Sequence, residues 1–400
     1  MRSTRALSFG AFALSASFMM VFPLLPELQQ RTGVPTSQLG WVASTGFIAA
    51  LFAQLVIAPL ADRGRERLVI GGSVIVMSLA CISYVLASGL QGLVIGRIGA
   101  GLAYGAFMPA ATGLIVRHFP GRAGELIGKQ RAMDLGGMAV GPLLSVAGKT
   151  TIGADKTLMA AAVLTLLIGL PSLTARWSDD VGPGTGHSSI RDQAHLLRHR
   201  SVIAASLLVA AYMIPLGAYD ALYARFLTDL GAPDWLLGVS LTIFAVPAVV
   251  MARWAGRMTD KHDPFTVAAW GGIANIAVVI SYGVIRVAWI VSAMGLLESG
   301  GQMMVSAAGA AAMGWAVPGR RAATAQGLGE AVGTIAAAAV AIVSAPLYAS
   351  GGPAALFFTA AALTATALAG GVLLGRRSQP AEVRASPLRH EPDAAARLAG

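Results

Sequence analysis

One cysteine, six histidines and charge on only 12 % of 400 positions leave few chemistries open to this chain. The lone Cys81 cannot form an intrachain disulfide, so structural zinc and redox chemistry are excluded. His187, His195 and His199 are loosely spaced on a polar strip and do not converge. No nucleophile–base pair and no phosphate-binding glycine loop appears, so neither an enzyme nor a cofactor is expected. Long polar stretches are also missing. Soluble domains carry about 25 % charged residues, twice the share here.

What is present is apolar: 56 % of residues, gathered in runs of about twenty, the length that crosses about 30 Å of hydrocarbon as a helix. Twelve such spans are predicted, near 6–26, 38–60, 68–88, 91–117, 125–147, 155–175, 203–223, 235–257, 265–285, 288–316, 323–349 and 354–375. Arg2 and Arg5 precede the first run, but Pro23-Leu24-Leu25-Pro26-Glu27 follows it without a small-residue cleavage site, so it reads as a retained helix and not a leader.

The net charge of +10 could suggest a nucleic-acid partner, but its placement does not. With the N-terminus assigned to the cytoplasm, 22 of the 29 Lys and Arg residues fall on the cytoplasmic side, and Arg97 and Arg253 lie deep inside spans. This bias places both termini in the cytoplasm of a multi-pass inner-membrane protein, with the bilayer as its partner and no nucleic acid.

A cassette from the first half returns in the second. Leu39-Gly40 and Leu237-Gly238, Asp62 and Asp260, and Pro120-Gly121-Arg122 and Pro318-Gly319-Arg320 are all separated by 198 residues. A constant offset implies two equal bundles from one ancestral unit, an architecture that places a site at the midplane between them. The expected fold is an all-α membrane protein of twelve transmembrane helices in two pseudo-symmetric six-helix bundles. Residues 1–176 form the first bundle, 177–201 a cytoplasmic linker rich in Gly, Pro and charge, 202–376 the second bundle, and 377–400 a disordered tail.

The loop Leu60-Ala61-Asp62-Arg63-Gly64-Arg65 resembles the signature loop of the major facilitator superfamily, and its second-half copy keeps Gly256, Asp260 and Lys261. Leu93, Arg97, Gly101 and Gly105 resemble the family's helix-four pattern, with Ala100 in place of a glutamine. Gly137, Gly141 and Pro142, within Gly136 to Ser145, resemble the helix-five motif of its drug/proton antiporters, and Pro23 and Pro26 resemble the P-x-x-P of its twelve-helix exporters. The resemblance implies a secondary transporter exchanging protons for a small organic solute. In that reading Asp62, Arg63, Arg65, Asp260 and Lys261 form a conformational latch, each carboxylate capping a helix start in the opposite half. Gly137, Gly141 and Pro142 form a hinge.

Ionisable groups inside spans are costly and mark function. Arg97, Asp134 and Glu298 are therefore the expected proton-coupling residues, while Asp220, Glu330, Gln302 and Tyr104 are expected to line the pathway or assist. The expected activity is export of a drug, metabolite or siderophore by a monomer working through alternating access. The alternative is a proton-coupled importer or facilitator of the same fold.

Overall fold

The computed structural model describes residues 2–119, 122–173, 196, 198–244, 251, 254–255, 257–259, 261–317 and 322–378. Among these residues every regular element is a helix. The first half holds α1 (Arg2–Thr32), α2 (Leu39–Phe52), α3 (Glu66–Val85), α4 (Leu90–His118), α5 (Ala123–Ile152) and α6 (Ala154–Leu173). The second holds α7 (Arg200–Asp229), α8 (Asp234–Ile243), α9 (Pro264–Val284) and α10 (Ala288–Ala316). The run Ala322–Ser378 completes it, broken where Gly352 takes φ 65° into two limbs, α11 (322–351) and α12 (353–378). Seven described helices, with that last run counted once, are long and apolar enough to cross a membrane.

Two expected boundaries move. Helix α1 does not stop at Pro26. Each proline removes one ladder hydrogen bond, yet the helix resumes and ends at Gly33, whose φ of 67° suits a glycine C-cap. The second span is not one α-helix. It widens into a π turn over Ala53–Ile57 and tightens into a 3-10 turn over Ala58–Arg63. Pro59 accounts for the break, since its missing N–H and its ring disrupt the turn behind it.

Successive helices alternate in direction, so one end of the molecule collects the basic loops, with Arg63, Arg65, Arg117, Arg122, Arg257 and Lys261 among them. Side chains such as Leu79, Ile95, Leu167, Ile273, Leu297 and Leu373 remain exposed on helices, which suits an outer wall solvated by lipid. Inside the bundles, small residues bring backbones together. A methyl group on Gly137 or Gly141 of α5 would overlap the carbonyl of Phe12 or Ala16 of α1, and one on Gly101 of α4 would overlap the carbonyl of Gly46 of α2.

The bundles meet at the end opposite the basic loops. A Cβ on Gly40 of α2 would lie 2.9 Å from the Ile342 carbonyl of α11 and would overlap that of Ala341. A Cβ on Gly238 of α8 would lie 2.8 Å from Val146 Cγ2 and 3.2 Å from the Pro142 carbonyl of α5. Thr242 donates to the Ala139 carbonyl at 2.8 Å, and Lys149 reaches Asp234 at 2.8 Å while keeping Glu27 at 3.4 Å. The repeated Leu-Gly pair is therefore a pair of symmetry-related contacts between bundles.

Candidate coupling and substrate site

Arg97 extends from α4 and crosses to the second bundle, where its Nη2 donates to both carboxylate oxygens of Asp220 on α7. The pair is nearly sealed, with side chains 5 % and 10 % exposed. The guanidinium also lies over the rings of Phe18 and Phe22 of α1, 4.6 and 4.8 Å from their centroids. Room for it comes from Gly46, where a Cβ would sit 2.7 Å from Arg97 Nε.

Phe18 continues the track toward the basic end by stacking on Tyr104, with centroids 5.3 Å apart. Tyr104 donates to Asp134 at 3.1 Å, and Ser15 of α1 donates to the same carboxylate, which is only 2 % exposed. Arg131, one turn earlier on α5, approaches Asp134 at 3.7 Å and leaves its side chain 60 % exposed. Across the gap, Glu330 of α11 and Tyr212 of α7 both lie within the electrostatic reach of Arg131. Arg131 on the first bundle and Glu330 on the second are both exposed.

Glu298 lies elsewhere. It is fully buried, and its carboxylate accepts hydrogen bonds from Tyr219 of α7, from Tyr282 of α9 at 2.7 Å and from Gln302 of α10 at 3.2 Å. All three partners belong to the second bundle. Tyr219 precedes Asp220 in sequence, so consecutive residues on α7 turn one toward Glu298 and the other toward Arg97.

The expected pathway residues thus fall into two groups. Arg97 and Asp220 pair across the two bundles, whereas Asp134 with Tyr104 and Glu298 with Gln302 are each held by partners within one bundle, and Glu330 is exposed. The partners Phe18, Phe22, Ser15 and Tyr282 were not singled out by sequence. Arg131 was counted among the basic loop charges, although its spacing from Asp134 puts the two on one helix face.

Of the expected latch, Asp260 lies outside the described residues, as do Gly256, Pro318-Gly319-Arg320, the linker from 174 to 195 with His187 and His195, and the tail from residue 379. Arg63, Arg65 and Lys261 are exposed, Arg117 donates to the Ala61 carbonyl at 3.4 Å, and the loop turns at Gly64 with φ 80°. Glu125 is held within its own helix start by Arg122 at 3.0 Å and Lys129 at 2.5 Å. At the expected hinge, Gly137 and Gly141 seat α5 on α1 while Pro142 faces α8.

Two helical bundles joined by a buried ion pair and in contact at the end away from the basic loops have the architecture of a secondary transporter. Residues 7–300 match the sequence profile of the Major Facilitator Superfamily, and the chain belongs to that family. A 4-hydroxybenzoate transporter, PcaK, of Pseudomonas putida is 32 % identical over 148 residues, or 37 % of this chain and 33 % of that protein. The chain therefore spans about a third of the length of that relative in the match. The multidrug resistance protein MdtG of Dickeya zeae is 24 % identical over 70 % of this chain and 71 % of its own. In fold, the chain is similar to a bacterial homologue of the lysosomal transporter Spinster in an inward-facing state, with a TM-score of 0.73, 15 % identity and coverage of 94 % and 96 %. It is also similar to a D-xylose–proton symporter, with a TM-score of 0.75, 12 % identity and coverage of 92 % and 96 %.

Proposed function

We propose that the protein is a proton-coupled antiporter that exports a small organic solute across the inner membrane by alternating access, with both termini in the cytoplasm. The observation that carries this reading is the ion pair between Arg97 and Asp220 across the two bundles. It sits in the half where the bundles touch, so the outward opening of the gap must separate it. Parting buried opposite charges is costly unless one is neutralised or re-paired. A proton delivered to Asp220 neutralises one, which ties opening to the proton gradient.

Asp134 and Glu298 serve as further proton sites in this scheme. Asp134 lies beside the exposed Arg131, and Glu298 accepts from Tyr219, the residue that precedes Asp220 on α7. The open half faces the basic loops, which the excess of Lys and Arg assigns to the cytoplasm. Loading from the cytoplasm and release outside then make export the natural direction. The Asp62 and Asp260 loops latch the basic end in the outward-open state, and Gly137, Gly141 and Pro142 provide the bend between states.

The similarity to MdtG over most of the chain favours export. The shorter similarity to 4-hydroxybenzoate transporters favours the second reading, an importer or facilitator of a small metabolite. Inverted membrane vesicles with an imposed pH gradient separate the two. Solute accumulation driven by an acidic lumen supports export, while accumulation only with a gradient of the opposite sign supports import. Flux indifferent to either gradient refutes proton coupling.

A further inference from the structure

The basic end of the molecule has a local structure of its own where α9 begins and α12 ends. Lys261, His262, Arg376 and Arg377 are all exposed there. Arg376 Nη2 donates to Thr266 Oγ1 at 3.2 Å, and that hydroxyl donates in turn to Asp263 at 3.2 Å. Asp263 also accepts from the Thr266 amide at 3.0 Å, as the cap of α9. A guanidinium offers five N–H donors in a planar fork. A neutral hydroxyl thus fixes Arg376 against the first turn of α9 and takes only one of them. Among the described residues, no carboxylate pairs with Lys261, His262 or Arg376.

Below these charges the seam between the two helices is apolar. Thr266, Trp270 and Ile273 recur at i, i+4 and i+7 on α9, and Leu373 and Arg376 at i and i+3 on α12, so each set lies on one helix face. The bond from Arg376 to Thr266 brings the two faces side by side. Trp270, Ile273 and Leu373 are 48, 64 and 58 % exposed. The rings of Trp270 and His262 meet edge to face, with centroids 5.4 Å apart. The helices touch closely along the seam: a Cβ on Gly375 of α12 would overlap the Phe265 ring of α9.

We propose that this seam binds one anionic glycerophospholipid from the leaflet on the basic-loop side. Its phosphate docks on Arg376, with Lys261 and His262 beside it, and an acyl chain lies along Trp270, Ile273 and Leu373. A guanidinium meets a phosphate through two parallel bonds. The apolar strip starts one turn beneath, where headgroups give way to hydrocarbon and where tryptophan is enriched. Long basic side chains reach from such a wall to the headgroup plane. A zwitterionic lipid would bring its own ammonium among three basic groups, whereas phosphatidylglycerol adds only hydroxyls. The site lies on the outer wall of the second bundle, so it stands or falls independently of the transport reading.

Native mass spectrometry of the purified full-length protein, titrated with phosphatidylglycerol or phosphatidylethanolamine of matched chains, tests this. Phosphatidylglycerol is expected to bind about tenfold tighter. Arg376→Ala should cost it about tenfold and Lys261→Ala about fivefold. Trp270→Ala should cost less than either. Arg376→Gln keeps a donor for Thr266 and removes the charge, so it should lose the preference with the fold intact, as thermal melting would show. Arg198→Ala with Arg200→Ala removes two exposed charges from the start of α7 and should leave binding unchanged. Glycerol 3-phosphate, which has the phosphate without the chains, should not compete.

Equal binding of the two lipids overturns the proposal. So does a loss in the Arg198→Ala, Arg200→Ala pair as large as that in Arg376→Ala with Lys261→Ala, because net charge alone would then explain it. Unchanged affinity in folded Arg376→Gln has the same consequence. Competition by glycerol 3-phosphate at the concentration of the lipid would make this a site for a soluble phosphate compound and not for a lipid.

Discussion

Arg97, Arg131 and Asp134 belong to the first bundle, while Asp220, Glu298 and Glu330 belong to the second, so among the described residues the two halves divide charge unequally on one shared scaffold. One repeat length beyond Arg97 stands Gly295, and one repeat length before Glu298 stands Ala100. By contrast, Gly40 and Gly238 occupy equivalent positions and do equivalent work, each letting its helix touch the opposite bundle. Symmetric positions therefore form the surface on which the bundles meet, and asymmetric ones carry the ionisable groups. A rocking motion needs the same contact on both sides of the axis, whereas coupling needs opposite charges facing each other. Each demand selects its own residues.

The largest expected effect comes from removing the charge asymmetry at the buried pair. Truncating one partner of a buried ion pair costs about 3–5 kcal/mol. Arg97→Ala should therefore cut pH-gradient-driven flux in proteoliposomes by about a hundredfold or more, with the protein still inserted and monodisperse. Exchanging the charges, Arg97→Asp with Asp220→Arg, should recover a measurable part of the flux, because the attraction depends on sign more than on side. Full activity in Arg97→Ala would remove the pair from the mechanism.

Next comes the symmetric surface. Gly40→Leu and Gly238→Leu each place a side chain against the facing helix, where overpacking costs about 1–3 kcal/mol. Either substitution should slow transport by about tenfold and shift labelling of engineered cysteines toward the state open at the end away from the basic loops. If one glycine tolerates leucine and the other does not, the two contacts are not equivalent.

Much of this arrangement was readable from the chain alone, and the failures have physical causes. Twelve spans and the repeat were visible because hydropathy and a fixed offset are long-range regularities. The break in the second span was missed because proline's effect on the turn behind it depends on whether the ladder can widen, as it does over Ala53–Ile57. An intramembrane arginine announced that Arg97 needed a partner, but Asp220 lies 123 positions away and only the meeting of the two bundles selects it. Arg131 looked like one more loop charge because it stands near a helix start. Glu298 was expected at the gap, yet its depth along α10 did not reveal which way it pointed.

A comparable effect is expected at Glu298, where Glu298→Gln keeps the shape and removes the proton site. One tyrosine can still donate to the amide oxygen while the other accepts from the amide N–H, so the fold should hold. Gradient-driven flux should fall by about tenfold, a barrier change near 1.4 kcal/mol, and its dependence on pH should flatten. Solute exchange at equal pH on both sides should persist. If both activities fall together, the residue supports packing and does not carry protons.

The mildest test lies at the closed end. Lys149 holds Asp234 of the opposite bundle at 2.8 Å and Glu27 of its own at 3.4 Å, with its side chain 22 % exposed. Partly solvated pairs of this kind contribute about 0.2–1 kcal/mol. Lys149→Ala should therefore shift the balance between states by no more than about fivefold, toward opening at that end, and the shift should shrink as salt rises. Because the pair exists only when the bundles are closed there, the substitution biases one state without touching the charges in the gap. An unchanged labelling pattern at low salt would mean that the glycine contacts alone keep that end shut, and a loss of proton coupling would mean that the two ends of the gap are not separable.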